Sequence, residues 1–361
     1  MAEQLKNVYT KNYIENLALK IKENYKEFAV DSFINSIFDN NWNDLELKQR
    51  MRHIALVLND FLSISYEKQL DVLKVVSKDF SSFESMFFQD FVEVYGLDDF
   101  DLSMKALEVF TIDSSSEFAI RQFILKYENE TMNQMKLWAK SSNEDLRRLS
   151  SEGCRPRLPW AIALSKYKKD PTIVLEIIEL LKYDESKYVQ KSVANNLNDI
   201  SKDNPKVLIN FVKINLGKTK NLDWICKHAS RTLLKAGDKT ILKLFGYDEI
   251  NHIELTEFLY DNEVLLNDSF SFSFNLVSQK NLGKLRVEYI IEYLKSNGSY
   301  SKKVFMILQN ELNQKNKYFT KKHSFKNMTT RKHYLGKHYI SILINGKKYI
   351  KKEFTLNDTS N

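Results

Sequence analysis

The stretch Glu152-Gly153-Cys154-Arg155-Pro156-Arg157 sets a carboxylate just ahead of two arginines that flank a proline. Gly153 permits a left-handed helix end, and Pro156 biases Arg155 away from helical backbone angles. Arginines on so stiff a segment suit bidentate phosphate contact, because little loop freedom remains to be lost on binding. The same two arginines can instead bond the ends of neighbouring helices, and spacing does not choose between these readings. Arg148 stands one helical turn before Glu152, and Glu117 stands one turn before Arg121. Each pair reads first as an ordinary i,i+4 surface pair, worth a few tenths of a kcal/mol, and otherwise as part of a site. Asp199 has Asn195, not a cation, one turn before it, and Lys202 three residues after it.

The elements that position these residues are helices. "NYIENLALKIKENY", "IALVLNDFLSISYEKQLDVLKVV" and "FESMFFQDFVEVYGL" carry apolar residues at three- and four-residue spacing. Residues 1–150 hold one glycine, Gly96, and no proline, while all four prolines fall between Pro156 and Pro205. Three segments align without gaps: "DLRRLSSEG" from Asp145, "YVQKSVANN" from Tyr188 and "WICKHASRT" from Trp224. Each has an apolar second residue, a basic fourth (Arg148, Lys191, Lys227) and a small seventh (Ser151, Ala194, Ser230). Their starts lie 43 and 36 residues apart, the length of a two-helix HEAT-like unit. Such units bury a face only by stacking, so an α-solenoid is expected over residues 1–250. Stacking superposes Glu152, Asn195 and Arg231, and lines up cations with a few carboxylates among them. Lys191, Asn195 and Asp199 share one face of their helix.

Beyond residue 250 the period changes. "SFSFNLVS", "LRVEYIIEYL" and "YISILINGKKYIKKEF" alternate apolar and polar residues, and Asn345-Gly346 between two such runs signals a type I′ hairpin. "SNGS" at 296–299 offers a second turn of that kind. Residues 251–361 are therefore expected to form a smaller all-β, immunoglobulin-like sandwich, with an antiparallel strand region over 264–356.

Composition excludes several classes. The 361 residues are 43% hydrophobic and 12% aromatic, enough for a packed core. Only Cys154 and Cys226 occur, without metal-ligand spacing, so no disulfide framework or structural zinc site is expected and a reducing cytoplasm fits. No apolar run approaches the roughly 18 residues of a membrane span, and the charged N-terminus lacks a signal-peptide core. The six histidines match no metal or triad spacing, and there is no glycine-rich phosphate loop and no G-x-S-x-G elbow. Net charge is +7, yet twelve Lys/Arg and no acid lie between Glu311 and Glu353, leaving the rest mildly acidic. That points to a polyanion-facing edge.

"SEFAIRQF", "LRRLSSEGCRPRLPWA", "YVQKSVANNLNDISKDNP" and "WICKHASRTLLKAGDKTILKLFGY", with "DFVEVYGLDDFDLS" upstream, resemble the AlkC-type branch of the HEAT-like DNA alkylation-repair glycosylases. The resemblance covers roughly residues 85–247, and some members of the branch also carry a C-terminal immunoglobulin-like domain. It implies a monofunctional enzyme that hydrolyses the N-glycosidic bond of cationic alkylated bases, N3-methyladenine and N3-methylcytosine, without drawing the base into a deep pocket. The family's catalytic carboxylates fall on Glu117, Glu152 and Asp199, and its arginines on Arg148, Arg155 and Arg157. Asn195, Asn198, Lys191, Lys202, Lys227, Arg231 and Trp160 complete the expected DNA-binding set. Gln122 stands where a proline is expected, and Gln190-Lys191 replaces a more arginine-rich pair, which bears on one backbone contact. No cofactor or metal is expected. The expected partner is alkylated double-stranded DNA, bound by a cytoplasmic monomer with no membrane and no obligate protein partner.

Chemically, a cationic base leaves without a strong general acid. Fixed carboxylates can then stabilise the developing sugar cation and orient the attacking water. The other reading is a non-catalytic HEAT scaffold that binds DNA or a protein, its carboxylates only structural. The basic segment 315–338, which interleaves Tyr318, Phe319, Phe325 and Tyr334 with lysines, is either a DNA-clasping loop or a solubilising loop with aromatics in the core.

Overall fold

A computed structural model describes residues 4–328 and 331–358. Among these residues sixteen α-helices precede eight β-strands. The first helices are α1 (Lys11–Asn24), α2 (Val30–Ile37), α3 (Leu47–Phe61) and α4 (Tyr66–Val76). Next come α5 (Phe87–Tyr95), α6 (Phe100–Thr111), α7 (Ile120–Lys126) and α8 (Glu128–Trp138). The aligned segments lie in α9 (Glu144–Gly153), α12 (Lys187–Ser201) and α14 (Lys220–Ala229). Between them run α10 (Ser165–Lys169), α11 (Thr172–Leu181) and α13 (Pro205–Asn215). Finally α15 (Arg231–Ala236) and α16 (Lys239–Leu244) lead to the strands. None of the described helices is long and apolar enough to cross a membrane.

Repeat stacking follows from the pattern. α12 packs directly against α9 on one side and α14 on the other. The small seventh residues Ser151 and Ala194 are wholly buried, which lets neighbouring helices approach closely. The inner stripe of α12 is Val189, Val193, Leu197 and Ile200. Burying each large apolar side chain of this kind contributes roughly 1.5–3 kcal/mol. Asn143 and Ser186 cap α9 and α12 by accepting hydrogen bonds from backbone N–H groups of the first turn.

Two compact units divide between Ala229 and Ser230, whereas the sequence placed the change at 250. The reason is that α15 and α16 associate with the strands. Leu242 packs on the Asn345-Gly346 turn so closely that a Cβ on Gly346 would lie 2.6 Å from its Cδ1. Asn345 Nδ2 donates to the Asp248 carbonyl at 2.9 Å.

The second unit is a sandwich of two sheets. The strands are β1 (Ile253–Tyr260), β2 (Glu263–Leu265), β3 (Ser269–Ser278) and β4 (Gly283–Leu294), then β5 (Tyr300–Leu312), β6 (Asn316–Ser324), β7 (Gly336–Ile344) and β8 (Lys347–Asn357). The sheets run β1-β3-β6 and β2-β8-β7-β4-β5. Asn345 and Gly346 both have positive φ, 46° and 79°, as a type I′ turn requires. Three features correct the sequence reading. Strands begin at Ile253 rather than 264, because a bulge between Thr256 and Leu259 shifts the alternation of β1 by one residue and hides it. β2 pairs with β8 in parallel, so the sandwich is not wholly antiparallel. The "SNGS" connection is a longer loop closed by Lys295 N–H to the Ser299 carbonyl, with only Gly298 left-handed.

The inner faces carry Phe270, Phe272, Phe274, Leu285, Val287, Ile291, Ile340 and Phe354. Phe319 and Phe325 of the basic segment belong to this core, so only Tyr318, 56% exposed, stands out as an open aromatic there. Thr329 and Thr330 of that segment lie outside the described residues.

One buried polar group in the core has a pH consequence. His323 sits between two hydroxyls, Tyr289 Oη to Nδ1 at 3.0 Å and Tyr293 Oη to Nε2 at 2.6 Å, an arrangement that suits a neutral ring. Burial pushes its pKa down from 6.5 to about 4. The folded sandwich therefore binds this proton less readily than the unfolded chain. Its contribution is complete above pH 6.5 and is lost as pH falls from 6.5 to about 4, amounting to about 3 kcal/mol. The His323 ring resonance in the full chain should titrate near pH 4, and a midpoint near 6.5 would contradict this packing.

Candidate active site

Residues 152–164 leave the end of α9 and return to the start of α10. Gly153 is the last helical residue, and it is not left-handed as expected. Close packing is what requires glycine here, since a Cβ would lie 2.6 Å from Ile120 Cγ2. Leu164 N–H bonds the Pro156 carbonyl at 3.2 Å and closes the segment. Arg121 of α7 then fastens it from inside. Its guanidinium, completely buried, donates to the carbonyls of Gly153 (2.8 Å), Arg155 (2.9 Å) and Ile162 (2.8 Å). Burial pushes the pKa of Arg121 down to about 10, so it stays charged at neutral pH. Glu117, one turn before it, pairs with Arg148 instead.

The three carboxylates and two arginines make one continuous row of alternating charge. Glu117 Oε2 accepts from Arg148 Nη1 and, at 2.8 Å, from Ser115 Oγ. Arg148 Nη2 lies 3.5 Å from Glu152 Oε1. Arg155 Nη1 donates to that same oxygen at 2.5 Å, and Ser192 Oγ of α12 donates to Oε2 at 2.6 Å. Arg155 Nε reaches Asp199 Oδ2 at 2.8 Å, and Lys202 Nζ reaches Asp199 Oδ1 at 2.8 Å. Glu152 and Asp199 are buried, while the Glu117 side chain is 16% exposed and is the most open of the three. Burial alone would lower the pKa of Arg148 and Arg155. For Arg148 the charges of Glu117 and Glu152 outweigh it, and for Arg155 those of Glu152 and Asp199, so both stay above the ordinary arginine value.

This geometry decides what spacing left open. Arg148–Glu152 is a buried link in the row, not an exposed surface pair. Arg155, 6% exposed, bridges Glu152 and Asp199. Arg157 forks onto Asp203, Nε at 2.8 Å and Nη2 at 2.6 Å, and its side chain remains 38% exposed. Lys191 and Lys227 are exposed on α12 and α14, and Lys202 is exposed just beyond the end of α12. Asn195 is half-buried and Asn198 buried on α12, both engaged in interactions of their own. Arg231 falls in α15, in the second compact unit.

Trp160 is 69% exposed, although its backbone holds a left-handed φ of 62°. For a non-glycine residue that conformation costs about 1 kcal/mol or more.

Ser115, Ser192 and Tyr188 were not singled out in the sequence, and Arg121 was singled out only as a partner for Glu117. Ser192 was legible, lying two turns before Asp199 on one helix face. Ser115 bonds its near neighbour Glu117 but also Arg148 of α9, and Arg121 bonds backbone carbonyls of the 153–162 segment, links that spacing does not show. Tyr188, first residue of its repeat, has the Arg148 guanidinium 5.1 Å above its ring. Among the described residues no group of three His, Cys, Asp or Glu side chains is arranged to hold a metal ion.

A family model described as DNA alkylation repair enzyme matches residues 105–233. Another, described as the C-terminal Ig-like domain of uncharacterised protein YhaZ, matches residues 255–358. The chain is 41% identical over 345 residues to YhaZ of Bacillus subtilis (strain 168), covering 95% of this chain and 96% of that one. It is also similar to the Pseudomonas fluorescens alkylpurine DNA glycosylase AlkC, solved bound to DNA containing an abasic site analogue. That match has a TM-score of 0.94 and 34% identity, over 98% of this chain and 100% of the other.

Proposed function

The chain belongs to the AlkC-type branch of the HEAT-like DNA alkylation-repair glycosylases, and on that footing we propose that it excises cationic alkylated bases from duplex DNA. The observation that carries this reading is the row Glu117–Arg148–Glu152–Arg155–Asp199. Three carboxylates are preorganised there, and none needs to reorganise when positive charge appears.

The substrates are N3-methyladenine and N3-methylcytosine. Alkylation has already made the base cationic, so the C1′–N bond breaks heterolytically and its electron pair neutralises the departing base. Positive charge passes to C1′ and O4′ of the sugar. A carboxylate about 4 Å away stabilises that charge by roughly 4 kcal/mol at an effective dielectric near 20. Water then adds to C1′ and loses its proton. Glu117 is placed in the water-orienting role, being the most open carboxylate, with both of its hydrogen bonds on Oε2. Glu152 and Asp199 supply fixed negative potential. Lys191, Lys202, Lys227 and Arg157 face phosphates, which makes binding salt-dependent. The protein acts as a cytoplasmic monomer, with no cofactor, and leaves the base outside any deep pocket.

Because water, not a lysine, is the nucleophile, the product strand stays intact. Duplexes carrying either lesion should yield free base and an alkali-labile abasic site, with no enzyme–DNA adduct trapped by borohydride. Strand cleavage without alkali, or a trapped adduct, would contradict the monofunctional mechanism.

A further inference from the structure

We infer that Lys48 is a positioning residue: by holding the Trp160 carbonyl it fixes an exposed apolar tip, Pro159 to Ile162, which packs against sugar and base edges of the damaged duplex. This rests on the glycosylase reading given above.

Lys48 lies in the first turn of α3, whose start is fixed by a reciprocal capping box between Glu46 and Gln49. Its ammonium crosses 112 positions of sequence to donate to Trp160 O at 2.9 Å. The same Nζ lies 4.2 Å from the centroid of the Phe118 ring, and Phe118 follows Glu117 directly. One cation therefore ties the Trp160 turn to the loop that carries the most open site carboxylate. Arg121 holds the other side of the tip through the Ile162 carbonyl at 2.8 Å. Between these two anchors the chain presents Trp160 at 69% and Ile162 at 53% exposure, with Pro159 also exposed. Trp160 is the most exposed large apolar side chain among the described residues. A left-handed tryptophan that buries little of itself gains nothing in the isolated protein. Its surface matches the apolar parts of a nucleic acid, where inserted or stacked side chains replace lost base stacking. The backbone carbonyl is what Lys48 grips, so the indole stays available.

The test is a double-mutant cycle in the full chain, Lys48→Met and Trp160→Ala, read by single-turnover base release from methylated duplex. Lys48→Met should slow release about tenfold alone and add nothing to Trp160→Ala, as expected when one residue acts through the other. Lys48→Arg, which still donates to a carbonyl, should recover most of the rate. The salt dependence of binding to undamaged duplex should be unchanged. Multiplicative losses, or a salt slope reduced by about one phosphate, would make Lys48 a direct DNA ligand and overturn the inference. No loss of rate in Lys48→Met would overturn it as well. Failure of the glycosylase reading is separable. If the wild type releases no base, DNA-dependent quenching of Trp160 emission, measured against Trp160→Phe, still reports the contact. Quenching that survives Lys48→Met would then overturn the positioning role.

Discussion

Glu152→Gln should slow single-turnover base release by about 10²–10³-fold while leaving affinity for abasic-site duplex within a few fold. The substitution is nearly isosteric. Ser192 Oγ, 2.6 Å from Glu152 Oε2, retains an oxygen to donate to if the amide places its carbonyl there. What disappears is one negative charge at the centre of the row, between Arg148 and Arg155. Those cations then face the sugar with less compensation, so the developing positive charge loses attraction and meets more repulsion. Binding to product should be spared because the cations proposed to face phosphates are untouched. Asp199→Asn should act in the same direction, with Lys202 left facing a neutral side chain at the other end. A loss confined to binding, with an unchanged chemical step, would place these carboxylates in a purely structural role.

Arg155→Met should destabilise the helical unit by about 3–5 kcal/mol, because it leaves Glu152 and Asp199 buried without the cation between them. That corresponds to a melting temperature lower by roughly 10 °C. All four tryptophans, Trp42, Trp138, Trp160 and Trp224, lie in this unit, so their fluorescence follows its unfolding directly. Arg155→Lys should fall between the two, since a single ammonium does not reproduce a fork that contacts both carboxylates. The double variant Arg155→Met, Asp199→Asn should recover part of the loss, because it also removes one of the stranded charges. If Arg155→Met melts like the wild type, the bridge is not what holds the two carboxylates together.

The architecture was largely legible from periodicity. Apolar spacing marked the helices, the aligned segments marked α9, α12 and α14, and Asn345-Gly346 marked the β7–β8 turn. β1 was missed because its bulge breaks the two-residue alternation on which strand reading depends. The site was legible as a set of residue types and illegible as a network. Spacing along a helix finds partners one turn away, as with Arg148 and Glu152. It does not find Arg155 reaching across to Asp199, or Glu117 turning from Arg121 to Arg148. Those choices are made by which helix end packs on which turn. Arg121 shows the same limit, because a guanidinium that binds three backbone carbonyls leaves no sequence partner to notice. Phe319 and Phe325 sit in a lysine-rich run, yet the alternation of β6 turns Phe319 into the sandwich core, and backbone bonds to Asn267 and Asp268 hold Phe325 there.

Base release measures directly whether this carboxylate row cleaves the glycosidic bond of cationic bases. Wild type and the Glu152→Gln, Asp199→Asn double variant should be incubated with methylated duplex, and the freed bases separated by chromatography. The wild type should release N3-methyladenine and N3-methylcytosine, the double variant none above buffer, and both should retain abasic duplex. Equal release by the two proteins would mean cleavage that does not use these carboxylates, and none by the wild type would leave a non-catalytic DNA-binding scaffold.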